Sequence, residues 1–203
     1  MTSDKRADNL SRRELEIVRS AYRTMARRGS HRTSLQDIAD DAGVSKALLL
    51  YHFGNKDSLL FAAMKWAVER TEERIRERLS ASTDAPDQLS ALVNAIFIGP
   101  EANRDFYLFY LDLIEHVARA PGFKPLSAML HEIINGLYSE VIEAGVAEGA
   151  FTVSDVAEAA NDMRAMIEGT FVQWIQAPDW RESHRKRKEE CRQALLQLLG
   201  SRQ

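Results

Sequence analysis

TSLQDIADDAGVSKALLLYHFGNK, residues Thr33 to Lys56, reads as a short helix, a tight turn, a second short helix and a stop. Ser34 is placed to cap the first helix, and Asp37, three residues on, completes a capping-box spacing. Leu35, Ile38, Ala39 and Ala42 then repeat at i, i+3, i+4 and i+7, which gives that helix one apolar side. Gly43 supplies the left-handed residue a sharp helix-to-helix turn needs, with Val44 as an apolar plug after it. Ser45 caps the second helix, which spans Lys46 to about Phe53 and stops at Gly54. Two helices joined by a short turn around one glycine form a helix-turn-helix.

The second helix carries three consecutive leucines, and at 100° per residue they cannot all face one core. Leu49 and Phe53, four apart, share the buried side. Leu48 and Leu50 therefore lean outward beside Lys46, Tyr51 and His52. A face that mixes a cation, a phenol, an imidazole and aliphatic groups suits a DNA major groove. Lys46 and Lys56 can neutralise phosphates, and a leucine can lie against thymine methyl groups. The alternative is a compact helical corner whose exposed residues have no partner.

The same segment resembles the DNA-binding domain of the tetracycline-repressor (TetR) family of transcriptional regulators. The resemblance rests on the upstream helix, on TSLQDIADDAGVSK, on the aromatic run Tyr51-His52-Phe53, and on Lys56-Asp57-Ser58-Leu59-Leu60 after a two-residue break. It is close over roughly the first 60 residues and extends further only in length and helical layout. It implies an all-α protein of about nine helices: a three-helix DNA-binding head at 12–55 and a ligand-binding and dimerisation body at 56–203. The implied DNA-contacting set is Thr33, Ser34, Ser45, Lys46, Leu48, Leu50, Tyr51, His52 and Lys56. Two positions depart from the family pattern. A small residue and then Thr are usual where Ala47 and Leu48 stand, and Tyr is usual at Leu50, so Tyr51 is expected to take over the phosphate contact.

Charge distribution agrees with a head and a body. Residues 1–56 hold 11 Lys and Arg against 7 Asp and Glu, whereas 57–203 hold 16 against 23, although the whole chain is only −3. A basic head on an acidic body is what a DNA-binding domain with a separate partner domain should show. A single cysteine, Cys191, excludes an intrachain disulfide and a cysteine-based zinc site, and fits a reducing cytoplasm. The polar start MTSDKRADNLSRRE lacks the apolar core of a signal peptide, and no apolar run is long enough to span a bilayer. Residues 1–11 are expected to be a disordered arm; Lys5 and Arg6 in it, and Arg12 and Arg13 next to it, can reach phosphates or stay solvated.

Punctuation by Gly, Pro and capping residues predicts helices at Arg12–Arg28, Asn55 to about Ala81, Pro86–Ile98, Glu101–Ala118, a stretch from the Pro121-Gly122 break to about Gly145, one starting near Thr152 and Asp155 and ending at Ala177-Pro178, and one opened by Asp179 with Glu182 and closing near Leu199. Phe106 to Val117, FYLFYLDLIEHV, is apolar or aromatic at nine of twelve positions, so it is expected to be buried on nearly every side. Trp66, Phe97, Phe106, Tyr107, Tyr110, Met129, Ile133, Met163, Met166, Glu168 and Trp174 are the candidate walls of a ligand cavity; as ordinary core residues they would need no ligand. Glu115, His116 and Glu168 interrupt apolar surroundings, and a buried carboxylate needs either a protein cation such as Arg104, Arg119 or Arg164 or a cationic ligand. In the second case Glu168, with Trp174 or Tyr110, would cage an ammonium group.

Two further apolar stripes are candidates for the dimer interface: Val156, Ala160, Met163, Ile167 and Phe171 on the eighth helix, and Cys191, Leu195 and Leu198 on the ninth. Covering the chain's own core is the alternative use. The histidines are scattered, no metal or cofactor set is visible, and no Gly-rich phosphate loop, nucleophile elbow or paired carboxylates point to an enzyme. The expected partners are a palindromic double-stranded operator, a second copy of the chain, and a small apolar, aromatic or cationic inducer. Rival readings are a ligand-independent architectural DNA binder and a small helical enzyme or carrier.

Overall fold

In the computed structural model, residues 10–82, 84–119 and 121–201 are described. Lys5, Arg6 and most of the expected N-terminal arm lie outside them. Among the described residues there are nine α-helices and a 3-10 turn: α1 (Arg12–Arg28), α2 (Leu35–Ala42), α3 (Lys46–Phe53), α4 (Lys56–Leu79), α5 (Ala85–Ile96), α6 (Pro100–Arg119), the 3-10 turn Pro121–Phe123, α7 (Lys124–Ala147), α8 (Val156–Trp174) and α9 (Trp180–Leu198). The all-α reading is correct, and no strand occurs among these residues.

The helix starts follow local chemistry. Ser11 and Glu14 form a reciprocal capping box on α1, and Ser34 and Asp37 form one on α2. Asp84 accepts the Asp87 N–H at the start of α5, with Pro86 in its first turn. Asp155, rather than Thr152, caps α8 by accepting from the Glu158 N–H. The capping-box expectation for Asp179 fails: its side chain makes no cap hydrogen bond, and α9 starts without one.

The chain falls into two compact units, one of residues 1–68 with 108–126 and the other of residues 69–107 with 127–203. This division differs from the head-and-body boundary expected at residue 55, because the start of α4 and the end of α6 cluster with the head.

In the first unit, Ile17, Val18, Ala21 and Met25 of α1 meet Ile38 and Ala39 of α2 and Leu49 of α3, all essentially inaccessible to solvent. Polar ties set the angle of the two helices. Ser20 Oγ and Arg23 both donate to Asp41 of α2, at 2.5 and 2.8 Å, and these bonds hold its carboxyl below the usual range, the serine contributing most. In the α1–α2 loop, the Ser30 N–H donates to Asp112 of α6 at 2.6 Å. His31 lies 3.0 Å from the Glu115 carboxylate and stacks on the His116 ring at 5.3 Å.

In the second unit α8 packs on α9, and an aromatic column of Phe97, Phe171 and Tyr107 stacks at centroid spacings of 4.3 and 4.0 Å. Asn103 knits three segments together. Its Nδ2 donates to the Ile96 carbonyl at 2.7 Å, and its Oδ1 accepts from the Gly99 N–H and from His184 of α9. The expectation that Phe106–Val117 is buried all round is corrected. Tyr107, Phe109, Tyr110 and Leu113 are buried, but Ile114 is 44% exposed and Glu115 lies at the surface.

Candidate nucleic-acid interface

The turn between α2 and α3 is built by Gly43. Its φ of 62° and ψ of 39° are left-handed, and its N–H returns to the Ala39 and Asp40 carbonyls. Val44 N–H also donates to the Ala39 carbonyl, at 2.9 Å, and Arg13 of α1 reaches the Gly43 carbonyl. This fixes where α3 begins, and Ser45 caps it by accepting the Leu48 N–H at 3.1 Å.

On α3 one leucine of the three is core: Leu49 is fully buried, Leu48 and Phe53 are half-buried, and Leu50 is 37% exposed. Lys46, Ala47 and Tyr51 complete the outer face, with Tyr51 83% exposed. α1 and α2 each carry an acidic residue in the first turn, but α3 carries none and places Lys46 there instead. A cation at a helix N-terminus opposes the helix dipole, so Lys46 does not serve helix stability. Together with the unpaired N–H groups of that turn it makes a site attractive to a phosphate.

The other predicted contact residues separate into two groups. Lys56, at the start of α4, is half-buried, and Ser34 and Ser45 are at the surface with their hydroxyls engaged as caps. Thr33 is a correction: it is 1% exposed, and its hydroxyl donates to the Gly29 carbonyl at 2.8 Å, so its side chain closes the α1–α2 loop rather than facing a ligand. His52 does not point straight out either. Its Nδ1 lies 3.3 Å from Glu14, whose carboxyl is held below its ordinary range chiefly by the Ser11 hydroxyl, next by the Ser11 N–H, and more weakly by His52 itself. Glu14 thus orients the end of α3 from α1. Sequence reasoning missed it, although Ser11-Arg12-Arg13-Glu14 is a legible capping box.

The candidate ligand walls fall in both units. Trp66 and Tyr110 belong to the first unit, where Trp66 meets Tyr22 edge-on under Arg19. Phe97, Phe106, Tyr107, Met129, Ile133, Met163, Met166, Glu168 and Trp174 belong to the second. There Trp174 is fully buried, with its ring edge-on to Phe171, Trp180 and His184 and its Nε1 donating to the Trp180 carbonyl. Glu168 accepts from Arg164 at 2.7 Å, and Arg164 also reaches Asn135. The cation cage of Glu168 with Trp174 is therefore corrected: the carboxylate has a protein cation and the indole is fully buried against other rings. Glu115 is likewise no buried carboxylate; it pairs at the surface with His31 and Arg119.

The dimer stripes are corrected too. Ala160, Met163, Ile167, Phe171, Cys191 and Leu195 are buried within this one chain, at 0–3% exposure, while Val156 and Leu198 are half-buried. Burial pushes the Cys191 thiol up to about 11, as a side chain sealed between two helices requires. α8 packs on α9, and these stripes are turned into the chain's own core.

Comparison with known proteins fits this geometry. Residues 17–63 match the family described as bacterial regulatory proteins, tetR family, and residues 85–200 match the C-terminal domain of BetI-type transcriptional repressors. The transcriptional repressor KstR2 of Rhodococcus jostii is 30% identical over 141 residues, which cover 70% of this chain and 69% of that protein. The transcriptional regulator BetI of Brucella melitensis is 24% identical over 160 residues, 79% of this chain and 78% of its own. A transcriptional regulator from Saccharomonospora viridis, solved in complex with choline, superposes with a TM-score of 0.79 at 26% identity, covering 92% of this chain and 95% of that one. A regulator from Haloarcula marismortui, at 24% identity and a TM-score of 0.80, shares the fold. These relatives are regulators rather than enzymes, and among the described residues no helix is long and apolar enough to cross a membrane. The chain belongs to the tetR family of bacterial regulatory proteins.

Proposed function

We propose that this regulator is a cytoplasmic homodimeric repressor that binds a palindromic operator through α3 and is released by a small molecule held in its second half. The observation that carries the DNA-binding part is the outer face of α3, where Lys46 stands against the helix dipole and Tyr51, 83% exposed, projects into solvent. One such helix reads only a few base pairs, so a two-fold pair reading a palindrome supplies the missing specificity. The pairing surface is the outward side of α8 and α9, since their apolar stripes are used internally.

An apolar, aromatic or cationic inducer is supported by the choline complex of the Saccharomonospora viridis protein and by the BetI-type match over residues 85–200. α4, continuous from Lys56 to Leu79, gives a path by which ligand-driven helix movement changes the spacing of the two α3 helices. Linkage then requires DNA to weaken inducer binding by the factor by which inducer weakens DNA binding.

The test is a gel shift of the purified protein on the DNA upstream of its own gene, at physiological salt with excess nonspecific competitor. A discrete, competitor-resistant band is expected, strongly weakened in Lys46→Ala and Tyr51→Ala while both variants remain folded dimers. Binding by both variants at wild-type affinity would overturn the placement of the recognition surface. Sequence-independent binding with a steep salt slope would replace the repressor reading with an architectural one.

A further inference from the structure

We infer that the recognition helix reads thymine methyl groups, with Leu50 and Ala47 as the specificity-determining side chains. The inference rests on the proposed DNA-binding reading and adds the chemistry of the bases it selects.

The outer face of α3 is Lys46, Ala47, Leu50 and Tyr51. None of these carries the paired donor and acceptor of Asn or Gln, the fork of Arg, or a carboxylate, which are the groups that read adenine, guanine and cytosine edges by hydrogen bonds. Several polar side chains nearby are turned to partners within the chain. Ser45 Oγ accepts the Leu48 N–H, His52 is turned to Glu14, Ser34 is closed on Asp37, and Gln36 of α2 donates to Asp40 at 2.7 Å. What remains at the surface is an aliphatic patch between two polar ends, the Lys46 ammonium and the Tyr51 hydroxyl.

Leu50, 37% exposed, stands beside Ala47 on the outer face, and the capped, Gly43-set turn fixes it there rather than letting it fold inward. The thymine C5-methyl is the one apolar group that the major groove offers, and it lies at the rim where a helix side chain meets it. Charge complementarity points to a nucleic acid as the occupant, since the patch is flanked by Lys46 and lies within residues 1–56, where Lys and Arg outnumber Asp and Glu by 11 to 7. Lys46 then takes a phosphate or a guanine edge, and Leu50 with Ala47 selects T over C at the neighbouring positions.

The experiment selects bound sequences from a random duplex pool and then replaces each thymine of the selected site, one at a time, with deoxyuridine, which removes only the methyl. At one or two positions per half-site, removal of the methyl is expected to weaken binding about fourfold, the value of one buried methyl-sized group. 5-Methylcytosine opposite guanine, in place of cytosine, should recover part of that loss. Leu50→Ala should bind thymine and deoxyuridine operators equally, whereas Lys46→Ala should weaken both and keep the difference. Selection of a defined site that tolerates deoxyuridine throughout would overturn the inference and leave the repressor reading standing. Selection of no site at all would sink both.

Discussion

Gly145 and Gly136 lie on the same helix, α7, yet the structure assigns opposite signs to the same substitution. Replacing a helical glycine by alanine ordinarily stabilises by about 1 kcal/mol, through a smaller loss of backbone entropy. A Cβ on Gly136 meets nothing within 4 Å, so the full gain is expected there. A Cβ on Gly145 would lie 1.9 Å from Cδ2 of Phe151 and 2.3 Å from its Cε2, inside any real contact distance. The ring cannot step aside cheaply. Phe151 is 3% exposed, and its own N–H, like that of Ala150, donates to the Gly145 carbonyl at 3.0 and 2.8 Å respectively. Relief requires either driving the ring partly into water, at about 1.5–3 kcal/mol for a large apolar side chain, or deforming the helix at similar cost. Subtracting the helix gain leaves Gly145→Ala about 0.5–2 kcal/mol less stable than wild type. For a chain of this size each kcal/mol moves the midpoint by about 2–4 °C. Thermal unfolding followed by circular dichroism should therefore show Gly136→Ala melting a few degrees higher and Gly145→Ala a few degrees lower. A rise in both would refute the packing of Phe151 over the end of α7.

Two further outcomes follow from single contacts. Asp112→Ala leaves the buried Ser30 N–H without its acceptor, at a cost of about 1–3 kcal/mol, while Asp112→Asn keeps an oxygen there and should lose less; equal melting points for the two variants would show that the bond carries no weight. His184 is held below its ordinary value of 6.5 chiefly by burial, then by Lys188, with Glu101 opposing. Because its folded value is depressed, unfolding takes up a proton, so its contribution is intact above pH 6.5 and is lost as the pH falls below it. His184→Gln should flatten that part of the stability profile, and an unchanged slope in the variant would assign the acid sensitivity to other groups.

Most of the head was legible because its signals are local. Ser34, Asp37, Gly43 and Ser45 each act on backbone groups within four residues of themselves, so a linear reading finds the turn and the register of α3. Thr33 and His52 were misplaced for the opposite reason. Whether a side chain beside a groove-facing surface turns out or in depends on partners 4 and 38 residues away, the Gly29 carbonyl and Glu14. Glu14 itself shows how one residue serves two levels, as a cap within α1 and as an anchor for the far end of α3.

The second half was legible as helices and not as surfaces. An apolar stripe states that something will cover it and is silent on whether the cover is the same chain or another. Met163, Ile167 and Phe171 repeat every four residues in the way an interface would, but they are already buried within the chain, Phe171 against Phe97 and Tyr107. The polar residues decide the matter better than the apolar ones. Asn103, unremarkable in sequence, is buried at 4% because it satisfies Ile96, Gly99 and His184 at once, and that closure of α5, α6 and α9 is what leaves the aromatic column of Phe97, Tyr107 and Phe171 packed ring on ring. An inducer that enters this half must separate such contacts or use space beside them. Each ring pair it parts forfeits about 0.5–1.5 kcal/mol beyond lost area. That cost weakens binding of such a ligand, and DNA is released only to the extent that the ligand binds the released arrangement better than the DNA-bound one.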